Sequence, residues 1–187
     1  MRIAKSAIFV LFFAVGLSLA VAAPRPVAAA SAVEIDAEVD AALTRFYEEV
    51  PAAKELAKKA KGILIFPSVI KAGFGVGGEY GEGALRIGGR SVAYYNTAAA
   101  SIGFQIGAQS RAEVLMFMTE DALDRFRSSD GWEVGVDGSV ALITVGVAGE
   151  IDTNTINDPV IGFIFGEQGL MANLSLEGAK ITRMNKS

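Results

Sequence analysis

Apolar residues recur every three or four positions in the first half of the chain, at Ile35, Val39, Ala42, Leu43, Phe46 and Val50. That period predicts an amphipathic helix, with Glu34, Asp36, Glu38 and Asp40 near its start, where the helix dipole favours acids. Pro51 interrupts it. A second, shorter helix is expected over residues 52–60, turning Ala53, Leu56, Ala57 and Ala60 inward. The period then changes to two. Residues 63–66 are wholly apolar and read as a buried strand, Pro67-Ser68 is expected to turn the chain, and glycine follows at nearly every second position. Side chains alternate faces along a strand, so Gly73, Gly75, Gly77, Gly81 and Gly83 share one face while Phe74, Val76, Tyr80 and Ala84 share the other. Glycine weakens a strand unless something must come close to its backbone. The pattern therefore predicts close approach by a helix, a neighbouring sheet or a ligand, the plainest form being a tightly curved or bulged sheet packed on its own helix.

Further along, Gly88-Gly89 signals a hairpin between the glycine-rich strand and a strand over 91–95. Residues 98–109 alternate again, 113–118 form an apolar strand, and Thr119 is placed to cap a helix running through Arg127 with Ala122, Leu123 and Phe126 inward. A third sheet segment opens with Asp130-Gly131-Trp132-Glu133-Val134 and runs on to Gly149, with Asp137-Gly138 as a hairpin turn or bulge. Residues 160–165 read as a buried strand, and Leu170, Ala172, Leu174 and Leu176 mark a half-buried final one. The fold class expected is α+β: two N-terminal helices and one mid-chain helix on a curved, mainly antiparallel sheet of short strands, with closure into a barrel left open.

The N-terminus reads differently. Arg2 and Lys5 precede an almost wholly apolar run over 7–23, and Ala28-Ala29-Ala30 offers a cleavage site before Ser31. Residues 1–30 are thus read as a cleaved export signal, with an uncleaved anchor as the alternative, and 31–187 as a single domain of the periplasm or the cell exterior. Removing thirty of 187 residues leaves 157, enough for a sizeable core. Three cations and no acid leave with the signal, so the formal charge moves from −4 to −7. A chain of that balance has no general attraction for nucleic acid.

The chain contains no histidine and no cysteine. Ordinary zinc sites, histidine bases, serine–histidine triads and thiol nucleophiles are therefore excluded. Gly73-Phe74-Gly75-Val76-Gly77-Gly78 fits a dinucleotide fingerprint as a string, but Glu79-Tyr80-Gly81-Glu82 follows where a helix should open, so the match is rejected. The oxygen-rich loop over 152–158 lacks the glycine and terminal glutamate of an EF-hand and reads as a polar turn. No catalytic residue, metal site or cofactor is expected. The densest positive charge is a stripe formed by Lys54, Lys58 and Lys61 with Lys59 beside them, ordinarily a solvated helix face.

Five stretches, residues 60–86, Tyr94-Tyr95-Asn96, 102–110, 117–141 and 169–181, resemble the SYLF domain in order and over nearly all of the region after the signal. The resemblance implies a lipid-binding module. Its bacterial relatives are exported envelope proteins without established enzymatic activity; eukaryotic members bind phosphoinositides, and the yeast ones associate with actin. Actin does not fit an exported bacterial protein. In eukaryotic members a basic N-terminal segment is implicated in membrane contact, whereas residues 34–40 here are acidic and only Lys54, Lys58, Lys59 and Lys61 match in character. The expectation is thus a non-enzymatic protein of the bacterial envelope that binds membrane lipid or another amphipathic lipid. Head groups would pair with Lys54, Lys58, Lys61 and Lys71, and Phe66, Phe74, Tyr80, Phe104 and Trp132 would supply apolar contact. The alternative is a structural or assembly protein using the glycine-rich face as an interface to an envelope protein or a second copy. A carboxylate hydrolase would require a pair of adjacent buried acids.

Overall fold

A computed structural model of the protein describes residues 30–145, 157–168, 176 and 178–186. Residues 1–29 of the expected signal, the polar loop up to residue 156 and the alternating stretch over 170–175 lie outside them. Helix α1 (Ala32–Glu49) is set by a capping box: the Ser31 hydroxyl accepts from the Glu34 N–H at 3.3 Å, and the Glu34 carboxylate accepts from the Ser31 N–H at 2.7 Å. Its apolar stripe, Ile35, Val39, Ala42 and Phe46, is buried as the period requires. Helix α2 (Ala53–Lys59) follows Pro51, buries Ala53 and Leu56, and ends on Lys58 and Lys59, where cations suit the helix dipole.

The short strands expected over 63–118 are two long ones. Strand β1 (Gly62–Ile87) and strand β2 (Arg90–Phe117) form a continuous antiparallel ribbon, closed at Gly88 and Gly89, whose φ values of 58° and 78° suit glycine. Pro67-Ser68 does not turn the chain. Pairing runs on from Phe66↔Glu113 to Val69↔Arg111 across a bulge, which absorbs a proline that has no N–H to give to the ladder.

A second irregularity, between Phe74↔Ile106 and Gly75↔Gly103, bends the ribbon back on itself. A Cβ at Gly73 would lie 2.5 Å from the Gly77 Cα, one at Gly81 would lie 2.8 Å from the Ser68 carbonyl oxygen, and one at Gly83 would strike the Ile65 carbonyl. The close approach expected from the glycines is real, and what approaches is the same strand: across the bend at Gly73, and its beginning at Gly81 and Gly83. That face is therefore closed to any partner at Gly73, Gly81 and Gly83.

The other edge of β2 carries β5 (Val160–Gln168) along residues 110–117 and β6 (Lys180–Met184) along residues 94–98. Strand β3 (Trp132–Glu133) extends the sheet beyond β6, and β4 (Ala141–Thr144) adds the parallel pairing beyond β5. The result is an α+β half-barrel, mainly antiparallel and curled.

Each face of the curl carries a buried apolar layer. Toward α1 and α2 lie Ile65, Val114, Met116, Ile161, Phe163 and Phe165, and the Phe46 ring sits 5.0 Å from the rings of both Phe163 and Phe165. On the inner face Phe66, Leu85, Tyr95, Leu115 and Phe117 meet Trp132 and helix α3 (Glu120–Ser128). Thr119 caps α3, accepting from the Ala122 N–H at 3.2 Å, and Leu123 and Phe126 point inward. Each fully buried large apolar side chain contributes about 1.5–3 kcal/mol, so these two layers hold the ribbon in its bent form.

Candidate functional site

The residues nominated from sequence separate into three groups. Phe66 and Trp132 are core residues with almost no surface to offer a ligand, because both belong to the buried layer that packs on α3. The side chains of Phe74 and Phe104 lie outside the described ones. Tyr80 is half exposed. On α2, Lys58 pairs with Glu55 at 2.6 Å, and Lys61, just past its end, pairs with Glu120 at 3.4 Å, which leaves Lys54 and Lys59 without ion pairs among the described residues. Lys71 stands apart from this stripe: its ammonium is largely buried, 2.9 Å from Glu79.

Where β1 doubles back, its two arms leave a groove between Ser68 and Ile70 on one side and residues 78–82 on the other, roofed by Ala30, Ile35 and Glu38 at the start of α1. Its volume is about 760 Å³. Along it Ile70 is 55% and Tyr80 50% exposed, and on the same strand Val76 is 70% exposed. Apolar residues exposed together on an otherwise well-packed sheet mark a contact surface more often than isolated ones do. No lysine or arginine is among the described residues that line the groove, so none of the nominated lysines meets the apolar element.

The sequence reading missed what lies behind the groove. Arg111, only 2% exposed, places its Nε 2.8 Å from Glu113 and its Nη2 2.5 Å from Glu79, whose other oxygen takes Lys71. Two cations and two acids thus balance inside the ribbon. Burial pushes the Glu113 carboxyl above its ordinary range, Arg111 works against that, and the Glu79 charge adds to it. Glu79 and Glu113 are buried acids close together, but Arg111 between them accounts for their burial and supplies no hydrolytic arrangement. The only signal in the sequence was strand alternation, which puts 109, 111 and 113 on one face without saying that this face is inside.

A second polar tie closes one end of the groove. Lys186 donates to the Ala30 carbonyl at 2.7 Å and to Glu82 at 3.0 Å, while the Tyr80 hydroxyl donates to Glu82 at 2.8 Å. Burial, and after it the bond to Glu82, pushes the Tyr80 phenol up to about 12. Burial alone would raise Glu82, yet the bonds from Tyr80 and Lys186 outweigh it and hold the carboxyl below the usual range. At the other arm of α1, Asp36 accepts from Ser91 at 2.6 Å and from Tyr94 at 3.0 Å, so the roof is pinned to the ribbon.

No helix among the described residues is long and apolar enough to cross a membrane. The architecture is that of an α+β domain built on one bent ribbon, with a groove in the bend. Residues 98–187 match the family model Ysc84, described as Las17-binding protein actin regulator, in line with the resemblance to the SYLF domain. The match begins within β2, so the β1 arm of the groove precedes it. No curated protein matches the chain.

Proposed function

We propose that this is a non-enzymatic lipid-binding protein of the bacterial cell envelope, exported to the periplasm or cell exterior and working at or near membrane lipid. The observation that carries the reading is the open groove in the bend of β1, whose apolar side chains Ile70 and Tyr80 remain half exposed in a fold that buries both of its other apolar layers. Its volume lies within the range of roughly 300–1,000 Å³ common for small-molecule sites. The match of residues 98–187 to that family model is consistent with a binding role. The basic element of the reading is narrower than the lysine stripe suggested, since Lys58 and Lys61 are already held by acids.

Vesicle co-sedimentation, together with mass spectrometry of an organic extract of the purified protein, tests this. Gly78 lines the groove with only the Ala99 carbonyl near its missing Cβ, at 3.5 Å, so Gly78→Phe fills the groove without striking the core. Lipid retention is expected to be lost in Gly78→Phe and kept when Lys54, Lys58 and Lys61 are changed to Glu. A wild-type protein that retains no lipid in either assay overturns the reading.

An assembly role keeps one supporting observation, on the face opposite the one expected. There Ala72, Val76, Gly78, Ala98 and Ala100 are exposed together along the paired strands. A stable oligomer in light scattering, with no lipid in the extract, would favour that role.

A further inference from the structure

The groove has a charge pattern as well as an apolar lining. Of the carboxylates that border it, Glu79 is balanced by Lys71 and Arg111 and Glu82 by Lys186; Glu38 alone has no ion pair among the described residues. Arg45 is the cation of the adjoining cleft, seven residues further along α1 and so about 10 Å away along the helix axis. Its guanidinium is already engaged, 5.2 Å from the Phe165 ring centre and 3.7 Å from Glu49. The first charge that a chain lying in the groove can meet is therefore a free carboxylate. Tyr80, half exposed in the same lining, adds an aromatic ring, and the π-system of such a ring attracts ammonium groups.

We propose that the ligand is a long-chain amphiphile whose cation is joined directly to its chain, the chain lying along Ile70 and Tyr80 and the ammonium on Glu38. This rests on the lipid-binding reading above and names the head group. A head group that begins with a phosphate would set that charge against Glu38 even where an ammonium follows further out, and a neutral one would leave the carboxylate unused.

Three probes with the same twelve-carbon chain separate the possibilities: dodecyltrimethylammonium, dodecylphosphocholine and dodecyl maltoside, titrated calorimetrically into the protein below their micelle concentrations. The trimethylammonium is expected to bind about tenfold more tightly than either of the others. Glu38→Gln should weaken it about fivefold and leave the maltoside unchanged. Glu48→Gln removes the same charge from an exposed position of α1 outside the groove, and should change neither. If the phosphocholine or the maltoside binds as tightly as the trimethylammonium, or if the two substitutions have equal effects, the head-group assignment is wrong while lipid binding stands. If none of the three binds, both fail together.

Discussion

Gly83 packs directly against the carbonyl oxygen of Ile65, a residue of its own strand, because the ribbon folds back at its middle. The neighbour is backbone and cannot swing aside. Gly83→Ala should therefore destabilise the protein by about 3 kcal/mol, the upper end of ordinary overpacking costs. At the hairpin tip, Gly88 has φ +58° and nothing within 4 Å of a would-be Cβ, so Gly88→Ala meets only the left-handed backbone penalty of about 1 kcal/mol. Urea midpoints of the two variants check the difference; equal losses would mean that the fold-back is not close-packed at Gly83.

Arg111 is the cation that makes the buried acids tolerable. Arg111→Met leaves Glu113 and part of Glu79 uncompensated and should cost about 3–5 kcal/mol at pH 7. The sign with pH follows from Glu113, whose native carboxyl is already raised by burial and would rise further without Arg111. A raised native value means that the folded state holds the proton more tightly. Its contribution is full below the ordinary carboxylate value of about 4.3 and fades as pH climbs through the native one. The variant should accordingly recover stability between pH 7 and pH 5, and adding Glu113→Gln should restore part of the loss at pH 7. A deficit that is flat with pH would remove Glu113 from the explanation.

Much of the fold could be read from the chain because local chemistry and tertiary context agreed. The Ile35-to-Phe46 stripe, the Thr119 cap and the Gly88-Gly89 turn each serve the role their residue types suggest. Pro67 misled because proline is a turn signal locally, yet on a strand paired along one edge only it can sit in a bulge. The glycine face announced close approach but not its partner, since nothing local encodes a strand folding onto its own beginning. Phe66 and Trp132 illustrate the same limit: an aromatic on an alternating strand has the same signature whether its face is core or surface. Arg111 and Glu113 look solvent-facing in sequence, and only the fold-back puts them inside.

Ile70 separates binding from folding. With 55% of its surface exposed at the groove, Ile70→Ser should change stability by no more than about 0.5 kcal/mol. Lipid retained in vesicle co-sedimentation should nevertheless fall several-fold, because the substitution removes apolar area from the lining. Unchanged retention with unchanged stability would move the contact surface elsewhere.

Lys186 joins the end of the chain to the entry of α1 and to the ribbon through Ala30 and Glu82. The Glu82 carboxyl is held below its ordinary range once the bonds from Tyr80 and Lys186 have overcome burial. A depressed native value means that the folded state binds the proton less readily than the unfolded chain. The associated stability is present above the unfolded value of about 4.3 and is lost as pH falls through the lower native one. Lys186→Met should lower the thermal midpoint at pH 7 and narrow its gap to the wild type as pH falls from 5 to 3, where the wild type gives up the same contribution. Glu113 titrates in both proteins and cancels in the comparison. Parallel curves across that range would show that the Lys186 bond to Glu82 adds nothing to the fold.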